Sequence, residues 1–106
     1  MTSGLASATP SLSGVTILDL TRLLPGNYAS LLLYGLGATV IKIEELTGDG
    51  TRLAPPFAAS GESGANLVLN RGKSSVALDL KSEAGADLLR RLISTAPVLL
   101  DSFRPG

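Results

Sequence analysis

The chain has 106 residues, with nine basic and nine acidic side chains, no cysteine and no histidine. This length fits one domain, and a balanced charge without a basic stripe argues against a nucleic-acid partner. The missing residue types exclude disulfides, thiolate metal sites and the commonest general base. No apolar run is long enough to cross a bilayer, so no membrane partner is expected.

Residues 1–13 are rich in Ser, Thr, Ala and Gly, and they lack the basic start and apolar centre of a secretory signal. We interpret them as a flexible N-terminal tail, followed by the folded part of the chain over residues 14–106. Without a targeting signal, a cytoplasmic location is expected.

The next part of the chain has a strand–helix–strand pattern. Residues 15–20 form an apolar run that is typical of a parallel strand covered on both faces, and Pro25-Gly26 predicts a tight turn. A helix over residues 27–36 is apolar on several faces, which predicts that it is buried. A second strand is predicted over residues 38–44, and such a unit is almost always right-handed.

Residues 45–74 form a long connection rich in glycine and proline, with a short helical turn predicted near residues 65–69. A third strand is predicted over residues 75–80. Ser82 is the expected N-cap of an amphipathic helix that ends before Ala96-Pro97. A fourth strand is predicted over residues 98–101.

The order β-α-β-loop-β-α-β predicts an α/β fold with an open parallel sheet. Two helices cannot cover both faces of four strands, so we expect a larger fold or a partner. We also expect the chain in isolation to self-associate or to expose apolar surface.

Ligands of open parallel sheets bind at the carboxyl ends of the strands. Four segments reach that edge here: residues 22–26, 44–45, 78–81 and 102–106. Leu24, Pro25 and Phe103 are placed to sandwich a flat base, and Lys81 and Arg104 to meet phosphates. Each also has a structural interpretation, as turn packing or as a solvated charge. Neither a dinucleotide-binding glycine pattern nor a P-loop is present.

Asp19, Asp79 and Asp101 lie in strands or at their ends. An aspartate there can act as a nucleophile or base, but it is more often a cap or a hydrogen-bond anchor. Because histidine and cysteine are absent, we assign no catalytic residue and no metal ligand.

Several ordered segments resemble family III CoA-transferases, which include formyl-CoA transferase and α-methylacyl-CoA racemase. They are residues 14–26 (GVTILDLTRLLPG), 36–44 (LGATVIKIE), 48–52 (GDGTR), 69–81 (LNRGKSSVALDLK) and 101–106 (DSFRPG). The resemblance covers almost the whole chain apart from the tail.

The resemblance implies a Rossmann-like large domain, of which this chain is the N-terminal part, in a homodimer of interlinked chains. It implies transfer of CoA between carboxylic acids, with acyl-CoA as a substrate and no tightly bound cofactor. A racemase of the same family is the alternative. The family's catalytic residues would lie beyond Gly106, so a third hypothesis is a non-catalytic chain that contributes part of a CoA-binding surface.

The resemblance also implies which residues contact CoA. They are Leu24, Pro25, Leu78, Asp79, Leu80, Lys81, Ser102, Phe103 and Arg104. Three residues depart from the family pattern. Glu45 stands where a basic residue is common, which implies weaker phosphate binding. Asn27 replaces a common proline, and Ser102 an asparagine.

Overall fold

The computed structural model describes residues 10–103; Met1–Thr9 and Arg104–Gly106 lie outside this range. In chain order the elements are β1 (Thr16–Asp19), α1 (Leu23–Gly35), β2 (Thr39–Glu44), a 3-10 turn (Gly50–Leu53), α2 (Gly64–Leu69), β3 (Ser74–Ala77), α3 (Glu83–Ile93) and β4 (Val98–Leu100).

The four strands form one parallel sheet in the order β3-β2-β1-β4. Ile17 of β1 lies opposite Val40 of β2 on one side and Val98 of β4 on the other. The α/β fold with an open parallel sheet is therefore confirmed. The strand order reverses between β1 and β4, which is where doubly wound sheets leave a crevice for a ligand.

Side chains of alternate residues of each strand build two apolar clusters, one on each face of the sheet. Leu18, Ile43 and Leu78 form the first cluster with the inward face of α3. Ile17 and Val40 form the second on the face that α1 covers. The sheet is thus the shared centre of both layers, and its carboxyl edge stays open between them.

Helix α1 begins at Leu23, four residues earlier than the sequence predicts. Pro25 therefore lies within the first helical turn, where its missing N–H costs no hydrogen bond. Gly26 serves close packing, since a Cβ there would lie 2.2 Å from the Thr21 Cβ. Leu23 itself has φ of 65°, a left-handed conformation that is rare for a leucine.

The prediction that α1 is buried on all sides is wrong. Its fully buried residues are Asn27 and Ser30, whereas Leu24, Tyr28 and Leu32 are each more than half exposed. The reason is that the sheet beneath α1 presents charged side chains at this end, and these require polar partners from the helix. Leu24 and Leu32 consequently face outward, whereas Leu33 packs against the cluster beneath the helix.

The other elements agree with their predictions within a few residues. The short helix near residues 65–69 is present as α2, and the Ser82 hydroxyl caps α3 by accepting from the Gly85 N–H at 3.0 Å. Strand β3 ends at Ala77, three residues early, because the Asp79 side chain closes a turn by accepting from the Lys81 N–H at 3.1 Å.

Residues 10–13, which sequence analysis assigns to the tail, contact the domain. The Leu12 N–H donates to the Leu36 carbonyl at 2.9 Å, and its side chain packs against the cluster under α1. Within the described range, no helix combines the length and the apolar character that crossing a bilayer requires.

Candidate functional site

A cleft of about 330 Å³ opens at the carboxyl edge of the sheet. All four strands contribute to it through the residues that follow them. The lining residues are Leu20, Arg22, Ile43, Glu44, Glu45, Leu46, Thr47, Leu78, Asp79, Leu80, Lys81 and Phe103. The cleft therefore has an apolar floor of strand-end leucine and isoleucine side chains, and its walls carry charges of both signs.

Arg22 connects three strand ends across this cleft. Its backbone N–H donates to the Ser102 hydroxyl at 3.2 Å, and its guanidinium lies over the Phe103 ring, 5.2 Å from the ring centre. The same guanidinium forms an ion pair with Glu45, which follows β2. An arginine stacked on an aromatic ring beside an apolar floor is a suitable surface for a flat heterocycle.

The opposite wall is a tight turn between β3 and α3. The Ser82 hydroxyl donates to the Asp79 carbonyl at 2.8 Å. Gly85 lets α3 begin directly against this turn, because a Cβ at Gly85 would lie 1.9 Å from the Asp79 carbonyl oxygen. The packing fixes the backbone of the turn, while the side chains of Asp79 and Lys81 extend from exposed positions at the cleft.

A second, more open cleft of about 460 Å³ lies next to the first, between the segments that follow β1 and β4. Arg22, Leu23, Pro25, Ser102 and Phe103 line it. Arg22 and Phe103 border both clefts, so the stacked pair separates them. The crevice at the reversal of strand order is thus occupied by this pair.

A buried cluster of charged and polar side chains lies beneath the start of α1: Asp19, Asn27, Lys42, Asp49 and Lys73. Lys42 pairs with Asp49 at 2.7 Å and donates to the Thr21 carbonyl at 3.0 Å. Burial raises the pKa of Asp49, but the hydrogen bonds from Lys42, Thr51 and Asn27 outweigh it and hold that pKa below its usual value. The cluster ties the chain after β1 to the chain after β2.

Lys73 joins the same cluster from the segment before β3. It donates to the Asn27 carbonyl at 3.0 Å and to the Asn70 Oδ1 at 2.8 Å, and it lies 3.7 Å from Asp19. Burial lowers the pKa of Lys73 to about 8, and the nearby charge of Asp19 opposes that shift in part. The lysine thus holds α1 against the sheet at some cost in desolvation.

Glu44, at the end of β2, supports the cleft from below. Its carboxylate receives two hydrogen bonds from Arg52, at 2.7 and 2.8 Å, one from the Asp49 N–H at 2.9 Å and one from the Ser75 hydroxyl. The Arg52 guanidinium, with help from Ser75 and Asp49, holds the pKa of Glu44 at about 2 against the effect of burial. Glu44 is therefore a fixed anion.

The structure brings most of the predicted contact residues together. Leu78, Asp79, Leu80, Lys81 and Phe103 line the main cleft, and Pro25 and Ser102 line the neighbouring one. Leu24 lines neither and is 61% exposed. Arg104 lies outside the described residues. Contact with CoA stays a prediction for all nine.

Sequence reasoning missed the link from Arg22 to Glu45 and the cluster under α1. The pairing of Arg22 with Glu45 joins residues 23 positions apart, and no sequence spacing specifies it. A signal for the cluster was present, however. Lys42 interrupts an otherwise apolar strand, and a lysine inside such a strand requires a buried partner.

The geometry defines an α/β domain with a cleft at the carboxyl ends of its strands. The family model for CoA-transferase family III matches residues 12–106. The chain belongs to this family.

Two curated relatives and one solved structure illustrate the likeness. The chain is 43% identical to a succinate–glutarate CoA-transferase of Agrobacterium fabrum, covering 90% of this chain and 26% of that protein. It is 42% identical to the human succinyl-CoA:glutarate CoA-transferase, covering 90% of this chain and 22% of that protein. A crystal structure of a CAIB/BAIF family protein from Brucella suis superimposes with a TM-score of 0.83 at 37% identity, covering 91% of this chain and 26% of that one. The chain thus spans about a quarter of the length of the relatives it matches.

Proposed function

We propose that this chain supplies part of the CoA-binding surface of a CoA-transferase, with the adenosine diphosphate end of CoA in the cleft at the carboxyl edge of the sheet. The observation that carries the proposal is the convergence of all four strand ends on one cleft, in a chain of this family.

The chemistry of the cleft supports this placement. The ring of Phe103 and the guanidinium of Arg22 offer a stacking surface of the kind that an adenine base uses. Lys81, on the opposite wall, presents an ammonium group that can meet a phosphate. The apolar floor between them suits a base and ribose better than a free anion.

The reaction proposed for the complete protein is transfer of CoA from an acyl-CoA thioester to a carboxylic acid. Both curated relatives named above carry CoA-transferase names, which favours this reaction over the racemase alternative. We assign none of the catalytic residues to this chain, in which His and Cys are absent. The homodimer and the cytoplasmic location stay predictions; the outward leucines of α1 support an association with further protein surface.

Titration calorimetry of the chain with CoA tests the proposal. Lys81→Ala is expected to weaken CoA binding about tenfold, because a charge-assisted hydrogen bond to phosphate is lost. Arg104→Ala is expected to act in the same direction. Arg91→Ala removes an exposed cation from α3 and is the matched control, with CoA affinity unchanged. Saturable binding that all three variants leave unaltered would contradict the assignment of the cleft.

A further inference from the structure

The ion pair of Arg22 and Glu45 stands across the mouth of the main cleft. The two side chains are 50% and 54% exposed, and they meet through a single pair of atoms, Nη1 and Oε1. Within residues 10–103, the Glu45 carboxylate has no side-chain hydrogen bond other than this one. An exposed pair with one contact is held weakly and exchanges partners readily.

The neighbouring ion pair of Glu44 and Arg52 is held by more hydrogen bonds than the pair of Arg22 and Glu45. It has two hydrogen bonds, the Glu44 side chain is 3% exposed, and further donors complete its coordination. Arg52 binds Glu44 through two of its nitrogens, and it is not among the residues that line the cleft. Arg22 is therefore the arginine that a ligand in the cleft can recruit.

The positive and negative side chains at the cleft are equal in number once Glu44 is paired with Arg52. Arg22 and Lys81 are balanced by Glu45 and Asp79, and Glu44 is neutralised from below by Arg52. A ligand with several phosphates meets no excess of positive charge while Glu45 stays bound to Arg22. Its phosphate must compete with the Glu45 carboxylate for the same guanidinium.

We propose that Glu45 occupies Arg22 as an internal substitute for a ligand phosphate, so that a bound phosphate displaces it and Glu45 lowers the affinity for the ligand. This inference rests on the proposed function. Displacement releases Glu45 into solvent, where its carboxylate needs no new partner. The guanidinium can keep its place over Phe103 as it exchanges one anion for the other, because the ring and the carboxylate contact it at different sites.

The test is calorimetric titration of the 106-residue chain with CoA at low salt, using Glu45→Gln. Removal of the competing charge is expected to tighten CoA binding about threefold to fivefold. Asp87→Asn is the matched control, since it removes a carboxylate from another exposed pair with a single contact, to Arg90 on α3. Thermal melting of each variant verifies that it is folded.

A double-mutant cycle with Arg22→Gln separates competition from simple repulsion. If Glu45 acts through Arg22, Glu45→Gln loses its effect on CoA affinity in the Arg22→Gln background. An equal gain in both backgrounds would show long-range repulsion and overturn the inference. The inference also fails if the parent chain binds CoA and Glu45→Gln leaves that affinity unchanged or weakens it. In that case the proposed function still stands. If CoA binds to neither the parent chain nor any variant, the proposed function and the inference both fail.

Discussion

The buried cluster beneath α1 and the ion pair at the mouth of the cleft differ in solvent exposure and in the number of hydrogen bonds that hold them. Beneath α1, Lys42 and Asp49 are 2% and 3% exposed, and every buried side-chain nitrogen and oxygen in the described range has a partner. At the mouth of the cleft, Arg22 and Glu45 are half exposed and joined by one contact.

The difference indicates that the two sets of charges have different roles, one in fixing the backbone and one in responding to a ligand. Charges that are buried and fully bonded cannot change partners without leaving a buried charge uncompensated, so they fix the position of the surrounding backbone. Charges at an open mouth are weakly held and remain available to a ligand. The buried cluster thus positions residues 20–24, and the mouth pair is positioned to respond to what enters the cleft.

The largest expected effect comes from breaking the buried cluster. Lys42→Met leaves Asp49 buried without its cation, and the free energy of unfolding should fall by about 3–5 kcal/mol. Urea denaturation followed by circular dichroism measures this loss. A loss below about 1 kcal/mol would mean that water reaches Asp49 and that the cluster does not fix the fold.

Arg22→Gln is the corresponding change at the mouth of the cleft, because it also removes one positive charge from an ion pair, here the pair with Glu45. Its free energy of unfolding should change by less than about 1 kcal/mol. The same denaturation experiment serves for both variants. Equal losses for Lys42→Met and Arg22→Gln would remove the distinction between the two sets of charges.

A smaller, pH-dependent effect is expected from Lys73. Burial lowers its pKa from 10.5 in the unfolded chain to about 8 in the folded one. Between these values the unfolded chain binds more protons, so stability rises with pH. Lys73 should add about 2 kcal/mol of stability between pH 8 and about pH 10, and below pH 8 the full cost of its buried charge remains.

The stability difference between the parent chain and Lys73→Met, followed across this pH range, isolates that contribution from other titrating groups. Lys81→Met removes an exposed lysine and is the control. A difference for Lys73→Met that stays flat with pH would show that its amine is solvated.

Much of the fold could be predicted because the sequence marks it locally. Apolar runs specify the strands, and Ser82 specifies the start of α3. The direction in which α1 faces could not be predicted, because its leucines suggest burial while the partners of Asn27 and Ser30 lie on distant strands. Local hydrophobicity gives no information about such long-range polar contacts.

The candidate site was predictable to a similar extent. Sheet topology alone places residues 78–81 and Phe103 at one edge, and the structure has them in one cleft. The position of Leu24, outward on α1, follows from the early start of that helix and could not be deduced from the Pro-Gly turn. The role of Glu45 depends on a side-chain pairing that only the folded chain brings about.

The most direct test of the central proposal is an NMR titration of isotope-labelled chain with CoA, read residue by residue from the backbone amides. We expect chemical-shift changes that saturate and that concentrate at residues 20–23, 43–47, 78–81 and 102–103, with residues 86–93 of α3 unaffected. Shifts centred on the exposed face of α1, or no saturable shifts at the cleft, would contradict the placement of CoA at the carboxyl edge of the sheet.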